Sequence, residues 1–443
     1  MDRREQEHRR KQHHSQTSAS HKKEDNKHSN HKQRNTLIAL IILILVLLCA
    51  VGLFLWATYS GLLDRHHTPD NSATAESTDD NADDSSSAQT SSEPEVDPRE
   101  QKVLDQMASM STEEKVAQLF FLTPEELTGV EVATQAGDTT KQCLTDYPVG
   151  GIIYFGQNIQ SQDQLTSMIQ ATQSYSKIPL FIGVDEEGGS LVARIANSGL
   201  FDVPHVDDMA TIGATGDSTQ AYNVGTTIGT YLSELGFNVD FAPDSDVLVN
   251  PDNTAIGIRS FGPDPNVDAD MVAQVVKGLQ EKGVSATLKH FPGHGATTTD
   301  SHNGAAIVDR SLADLQSTEF VPFSAGIEAG ADFIMVGHLE VPQVIGDTTP
   351  ASLSSMMITD ILRGDLGYEQ IVITDSMSMG AITDYYAPDA AALAAFQAGA
   401  DMILMPSDFK TAYQGILDAV NNGTISADRL DESVKRILTV KLS

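Results

Sequence analysis

Between Lys289 and His302 the chain reads KHFPGHGATTTDSH, which sets Lys289, His290, His294, Asp300 and His302 within fourteen residues. Such a set could do three kinds of chemistry. A desolvated Lys289 could form a Schiff base with a carbonyl, or simply pair with a carboxylate. His290 and His294, joined by His302, His338 and Asp300, could gather a metal ion. Asp300-x-His302 could serve as acid and base, because a carboxylate beside an imidazole fixes its tautomer and raises its pKa. Pro292-Gly293 argues against the metal reading, since a four-residue spacing aligns two His only on a helix. Asp375, in ITDSMSM, ends an apolar run and reads equally as a helix N-cap or a reactive carboxylate. An acid/base together with a nucleophilic carboxylate is what cleavage of an acetal requires.

The elements that must position these groups are short apolar runs. VSATLKHF from Val284 reads as a buried strand that feeds a loop jointed by Gly293 and Gly295, which predicts a mobile loop. Similar runs are VAQLFFLT from Val116, GGIIYFG from Gly150, PLFIGVD from Pro179, FNVDFAP from Phe237, DFIMVGH from Asp332, QIVITD from Gln370 and DMILMP from Asp401. Near-continuous apolar strands suit a parallel sheet covered on both faces. Helical stretches lie between them: Val267, Met271, Val275 and Leu279 form one stripe that Gly283 ends, and Asp431 to Val440 reads as a closing helix. Eight such strands with intervening helices predict an α/β fold, a (β/α)8 TIM-type barrel, with a doubly wound open sheet as the alternative. Asp185-Glu186-Glu187, Asp244, Asp246, Lys289-His290, His338 and Asp375 all fall at or just past strand ends, where a barrel gathers them on one face.

The first hundred residues read differently. Residues 1–35 are polar, with ten Lys/Arg, five Asp/Glu and six His, and read as a disordered cytoplasmic tail. From Leu37 to Ala57 there are twenty-one residues without a charge, enough to span a bilayer core of roughly 30 Å. Residues 36–59 are therefore expected to be an uncleaved transmembrane signal anchor, with Trp56 and Tyr59 at the far interface. Residues 60–98 form an acidic tether, and residues 99–443 the catalytic unit, expected outside the cytoplasm at the cell membrane. Residues 36–443 hold eighteen basic against fifty-six acidic residues, which argues against nucleic acid as a partner. Cys49 and Cys143 alone cannot make a disulfide framework. Oligomeric state is left open.

Six motifs in order carry a resemblance: GVDEEGG from Gly183, NVDFAPDSDV from Asn238, IRSFG from Ile258, KHFPGHG with the following DSH, MVGH from Met335 and ITDSMSM from Ile373. On these the chain from about residue 100 onward resembles family 3 glycoside hydrolases, specifically their single-domain β-N-acetylglucosaminidase branch. The resemblance implies a barrel fold, Asp375 as the nucleophile that forms a covalent glycosyl-enzyme, and His302 with Asp300 as acid/base on a loop. It implies sugar-holding roles for Asp185, Arg259, Lys289 and His290, with Arg194, Asp246 and the His338 of MVGH beside them. The segment from Gly188 to Arg194 is one residue longer than the family's usual spacing, which shifts the register in which Arg194 arrives. The implied reaction is exo-hydrolysis of terminal GlcNAc from cell-wall glycans, without metal or organic cofactor. Phosphorolysis, or β-glucosidase or xylosidase activity, is the alternative within the family. The only Trp lies in the apolar span, which predicts a small pocket for one sugar, with Phe261 or Tyr154 as contacts.

Overall fold

Eight short apolar runs, rich in β-branched and aromatic residues, make one parallel sheet in the computed structural model, which describes residues 97–298, 304 and 306–443. The expected tail, anchor and nearly all of the tether, together with Asp300 and His302, lie outside the described residues. Among those described, no helix is long and apolar enough to cross a membrane.

The strands are β1 (Phe120–Leu122), β2 (Gly151–Ile153), β3 (Phe181–Val184), β4 (Val239–Asp240), β5 (Ser285–Phe291), β6 (Phe333–Val336), β7 (Ile371–Thr374) and β8 (Ile403–Leu404). Each lies beside its neighbour in sequence, and β8 returns to pair with β1. Between β7 and β8 the pairing thins to one bridge, Ile373 to Met402, with Met402 N donating to Val372 O at 3.0 Å and Thr374 N to Met402 O at 3.1 Å. The result is a TIM-barrel-like α/β fold with a nearly closed sheet. All eight expected strands are present but shorter than the apolar runs that announced them. The Val116 run is the least regular, since Thr112–Ala117 is helical and the strand begins only at Phe120. Ser111 decides this locally, capping the helix through Glu114 N at 3.2 Å with Glu114 reaching back.

The barrel interior is packed. Phe121 meets Phe241 edge-on at 5.2 Å and Phe181 meets Phe333 at 5.0 Å. Gly151 and Gly183 make room for Phe121, whose ring a Cβ at either position would approach within 2.7 and 2.8 Å. The predicted helix near Val267 runs over Pro265–Glu281, started by Asp264 accepting from Asn266 N at 3.0 Å. It packs on Ser218–Leu235 through Gly225 and Gly278, where added Cβ atoms would sit 2.5 Å from Val275 O and 2.6 Å from Tyr222 O.

The thin seam is reinforced by Asp401, which is fully buried at the start of β8. It accepts from Val372 N at 2.9 Å, Ser433 Oγ at 2.6 Å and Arg436 Nη1 at 3.1 Å, and pairs with Arg363. Arg429 lies 3.9 Å away. Ser433, Arg429 and Arg436 come from the closing helix, Ala427–Lys441. Asp401→Ala would leave three guanidinium groups facing a void and a strand N–H without its acceptor. The expected loss is about 3–5 kcal/mol of unfolding free energy, checked by denaturant titration. A loss near that of an ordinary surface substitution would show that the seam does not depend on this carboxylate.

Candidate active site

The C-terminal ends of the strands open into a cavity of about 420 Å³. Glu187 is its most constrained wall group. It follows β3 in a hairpin that pairs Glu186–Gly188 with Val192–Ala193, and its carboxylate takes both arms of Arg259, Nε to Oε2 and Nη2 to Oε1, each at 2.7 Å. Lys289 Nζ, from β5, reaches Glu187 Oε1 at 2.7 Å and Asp185 Oδ1 at 3.0 Å. Burial works against each of these charges, yet mutual attraction wins. Glu187 is held well below the usual carboxylate range, and Lys289 well above the usual amine.

His290 follows Lys289 and also lines the cavity. Its Nδ1 meets Asp246 Oδ2 at 2.8 Å, while Asp246 Oδ1 accepts from His294 N at 2.6 Å. Burial opposes the imidazolium, but the Asp246 hydrogen bond and charge outweigh it and raise the pKa of His290. Asp246, for its part, is kept low, its burial outweighed by His290. Burial and the neighbouring Asp246 push Asp244 up to about 7, against the pull of Arg259. Asp375 stands just past β7, half-buried in the same cavity, its Oδ1 accepting from Ser376 N at 2.7 Å.

Residues 111–440 match the family model described as Glycosyl hydrolase family 3 N terminal domain. The chain belongs to glycosyl hydrolase family 3. Beta-hexosaminidase A of Pseudoalteromonas piscicida is 34% identical over 68% of this chain and 54% of its own length. Beta-hexosaminidase of Stenotrophomonas maltophilia strain K279a is 36% identical over 62% of this chain and 81% of its own. A solved glycoside hydrolase family 3 β-N-acetylglucosaminidase from Paenibacillus sp. str. FPU-7 shares 38% identity with a TM-score of 0.70, over 75% of this chain and 62% of that one. The chain thus spans little more than half of the first of these and under two thirds of the third.

Of the residues read from the sequence, this family 3 cavity brings together Asp185, Arg194, Arg259, Lys289, His290 and Asp375. The extra residue before Arg194 coincides with a register shift between Glu186 and Gly188 in the hairpin, and Arg194 still lines the cavity. Asp246 and His338 are placed behind the wall. Asp246 orients His290, and His338 donates or accepts at Ser352 Oγ (2.7 Å) and meets Ser376 O through Nε2 at 2.9 Å. The aromatic contacts need correction: Tyr154 and Phe261 are buried in the core, and the ring lining the cavity is Phe155. The segment after Lys289 is closely packed over its described part. A Cβ on Gly295 would lie 1.8 Å from Val247 O and one on Gly293 2.6 Å from Glu319, so both glycines serve close packing.

Sequence reasoning missed Glu187 as a wall residue, although it stands in the acidic triplet, and missed Met405. Met405 lines the cavity at φ 47, the one positive-φ residue other than glycine among those described. Nothing in its sequence context signals that. Asp244, Asp246 and His290 have ligand atoms within 4.8 Å of one another, close enough for a cation. The direct His290–Asp246 bond already engages two of these groups, and Arg259 lies 3.4 Å from Asp244.

The His290–Asp246 pair has a defined pH window. Asp246, lowered in the fold, contributes stability present above about pH 4 and lost as pH falls further; His290, raised in the fold, contributes stability complete below about pH 6.5 and lost as pH rises through its folded value. Asp246→Asn should therefore cost most between those limits, on the order of 3 kcal/mol, with the difference from the parent shrinking at alkaline pH. Unfolding free energies measured from pH 4 to 9 check this; a pH-independent difference contradicts it.

Proposed function

We propose that this chain is a retaining exo-β-N-acetylglucosaminidase acting on terminal GlcNAc of cell-wall glycans, peptidoglycan fragments included. The observation that carries the reading is Asp375 facing, across one cavity, a wall of fixed donors and acceptors from β3, β4 and β5. A carboxylate opposite matched ion pairs suits a neutral polar substrate whose hydroxyls both donate and accept. The names of the hexosaminidase relatives favour the 2-acetamido sugar over glucose or xylose.

In this reading the Asp375 carboxylate attacks the anomeric carbon while His302 donates its proton to the departing glycosidic oxygen. Water then gives a proton back to His302 and its oxygen to that carbon, releasing Asp375. Asp300 orients the His302 ring. Asp185 accepts from a sugar hydroxyl, and Lys289, Arg259 and His290 donate to others. Asp246 fixes His290, and His338 steadies the backbone at Ser376 beside the nucleophile. The chemistry calls on no metal or organic cofactor. The uncharged run from Leu37 to Ala57 supports an N-terminal membrane anchor, with the barrel outside the cytoplasm.

Trapping with a slow fluorosugar of the GlcNAc series, followed by peptide mapping, should label Asp375. Asp375→Ala should lower kcat on an aryl β-GlcNAc roughly a thousandfold or more, and a chelator should leave activity intact. Label on another residue, or full activity of the variant, refutes the nucleophile. For the anchor, cells expressing the full chain should retain the protein in alkali-washed membranes with the barrel open to added protease; protein released by alkali speaks against a span.

A further inference from the structure

The end of the barrel opposite Asp375 holds a second cavity, of about 410 Å³, which no step of the chemistry above uses. It opens at the N-terminal ends of β3 to β6, where Phe181 and Ser285 begin their strands and Asn238 and Asp332 immediately precede β4 and β6. Gln280 and Lys441 complete its polar wall, from the last turns of the helices Pro265–Glu281 and Ala427–Lys441. The two amides are spent on the backbone. Asn238 Oδ1 accepts from Ile182 N at 2.6 Å and its Nδ2 donates to Leu180 O at 3.0 Å. Gln280 accepts from Asp332 N at 3.0 Å and donates to Gly330 O at 2.8 Å.

What this wall has left to offer is two ionisable groups of opposite sign. Lys441 Nζ donates to Gln118 Oε1 at 2.8 Å and lies over the Phe181 ring, 4.8 Å from its centroid. The Asp332 carboxyl is eased only by the Ser285 hydroxyl. Each is thus met by neutral groups, and among the described residues neither has a charged partner. Desolvation pushes the Lys441 amine well below its usual range and the Asp332 carboxyl above its own. Two half-buried groups of opposite sign, in one cavity but not paired with each other, are complementary to a molecule that carries both charges itself.

We propose that this cavity is a binding site for a small zwitterion, an amino acid or short peptide, whose carboxylate meets Lys441 and whose ammonium meets Asp332. A simple carboxylate would leave Asp332 without a partner, and a simple ammonium would leave Lys441 so. A ligand with both groups closes both contacts with charge-assisted hydrogen bonds. The site lies at the opposite strand ends from the catalytic cavity, so its occupant and a sugar do not compete for space.

The test is titration calorimetry of the full chain with glycine, β-alanine, γ-aminobutyrate and alanyl-alanine, which step the charge separation upward. At least one is expected to bind with a Kd of about 1 mM or tighter, and acetate or methylammonium alone to bind about 10-fold or more weakly than that. Lys441→Met and Asp332→Asn should each weaken the best zwitterion by about 10- to 100-fold. Thermal melts show that each variant is folded; should one fold poorly, the other carries the comparison. The length that binds best separates a free amino acid from a peptide. The proposal is overturned if none of the four binds, if acetate or methylammonium binds as tightly as the zwitterions, or if a folded variant binds the best of them as the parent does.

Discussion

Glu187 is a carboxylate taken almost wholly out of water, and only two cations at 2.7 Å make that tolerable. Desolvation of an ion costs several kcal/mol, so the acid, the guanidinium and the amine stand or fall together. Each comes from a different part of the barrel: the hairpin after β3, the loop after β4, and β5. The cluster therefore fixes a hairpin, a loop and a strand end relative to one another before any substrate arrives. Asp185 and His290 inherit their positions from it, one as the second partner of Lys289, the other as its chain neighbour. Preorganisation of this sort keeps binding from spending energy on ordering the wall.

The rim is not uniform around its circumference. Apart from Asp375 past β7, charged groups occupy the arc from β3 to β5, whereas Ile153 at the end of β2, Met335 of β6, and Leu404 and Met405 at the end of β8 present apolar side chains. A sugar has the same division, with hydroxyls at its edges and C–H groups on its faces. Met405 holds its place at φ 47, a conformation that costs a side chain of its size on the order of 1 kcal/mol or more. Backbone strain in a residue that lines the cavity fits a position set by the cavity and not by local preference.

The barrel was legible because its strands are short and apolar and carry polar residues at their ends, a pattern that few other architectures produce. Lys289, His290 and Asp375 stood out for the same reason. What could not be read was which polar residue faces the cavity and which supports from behind. Asp246 and His338 occupy strand-end positions indistinguishable in sequence from Asp185, yet they are sealed off; orientation at a strand end depends on a single residue of phase. Glu187 was hidden in a run of three acids whose members face three environments: Asp185 the cavity, Glu186 the backbone of its own hairpin, and Glu187 the ion cluster. Glycines are no easier to read: Gly293 and Gly295 look like hinges in sequence, while their backbones also pack against Glu319 and Val247.

Asp401 has a consequence for how this molecule is made. The bonds that satisfy it at the last junction of the sheet come largely from Arg429, Ser433 and Arg436, near the end of the chain. A polypeptide emerging from the ribosome can pair β1 through β7 in turn, but its final joint stays open to water until Ala427–Lys441 has followed. Quality control that recognises exposed strand edges would see every nascent copy of this protein as incomplete until that helix arrives.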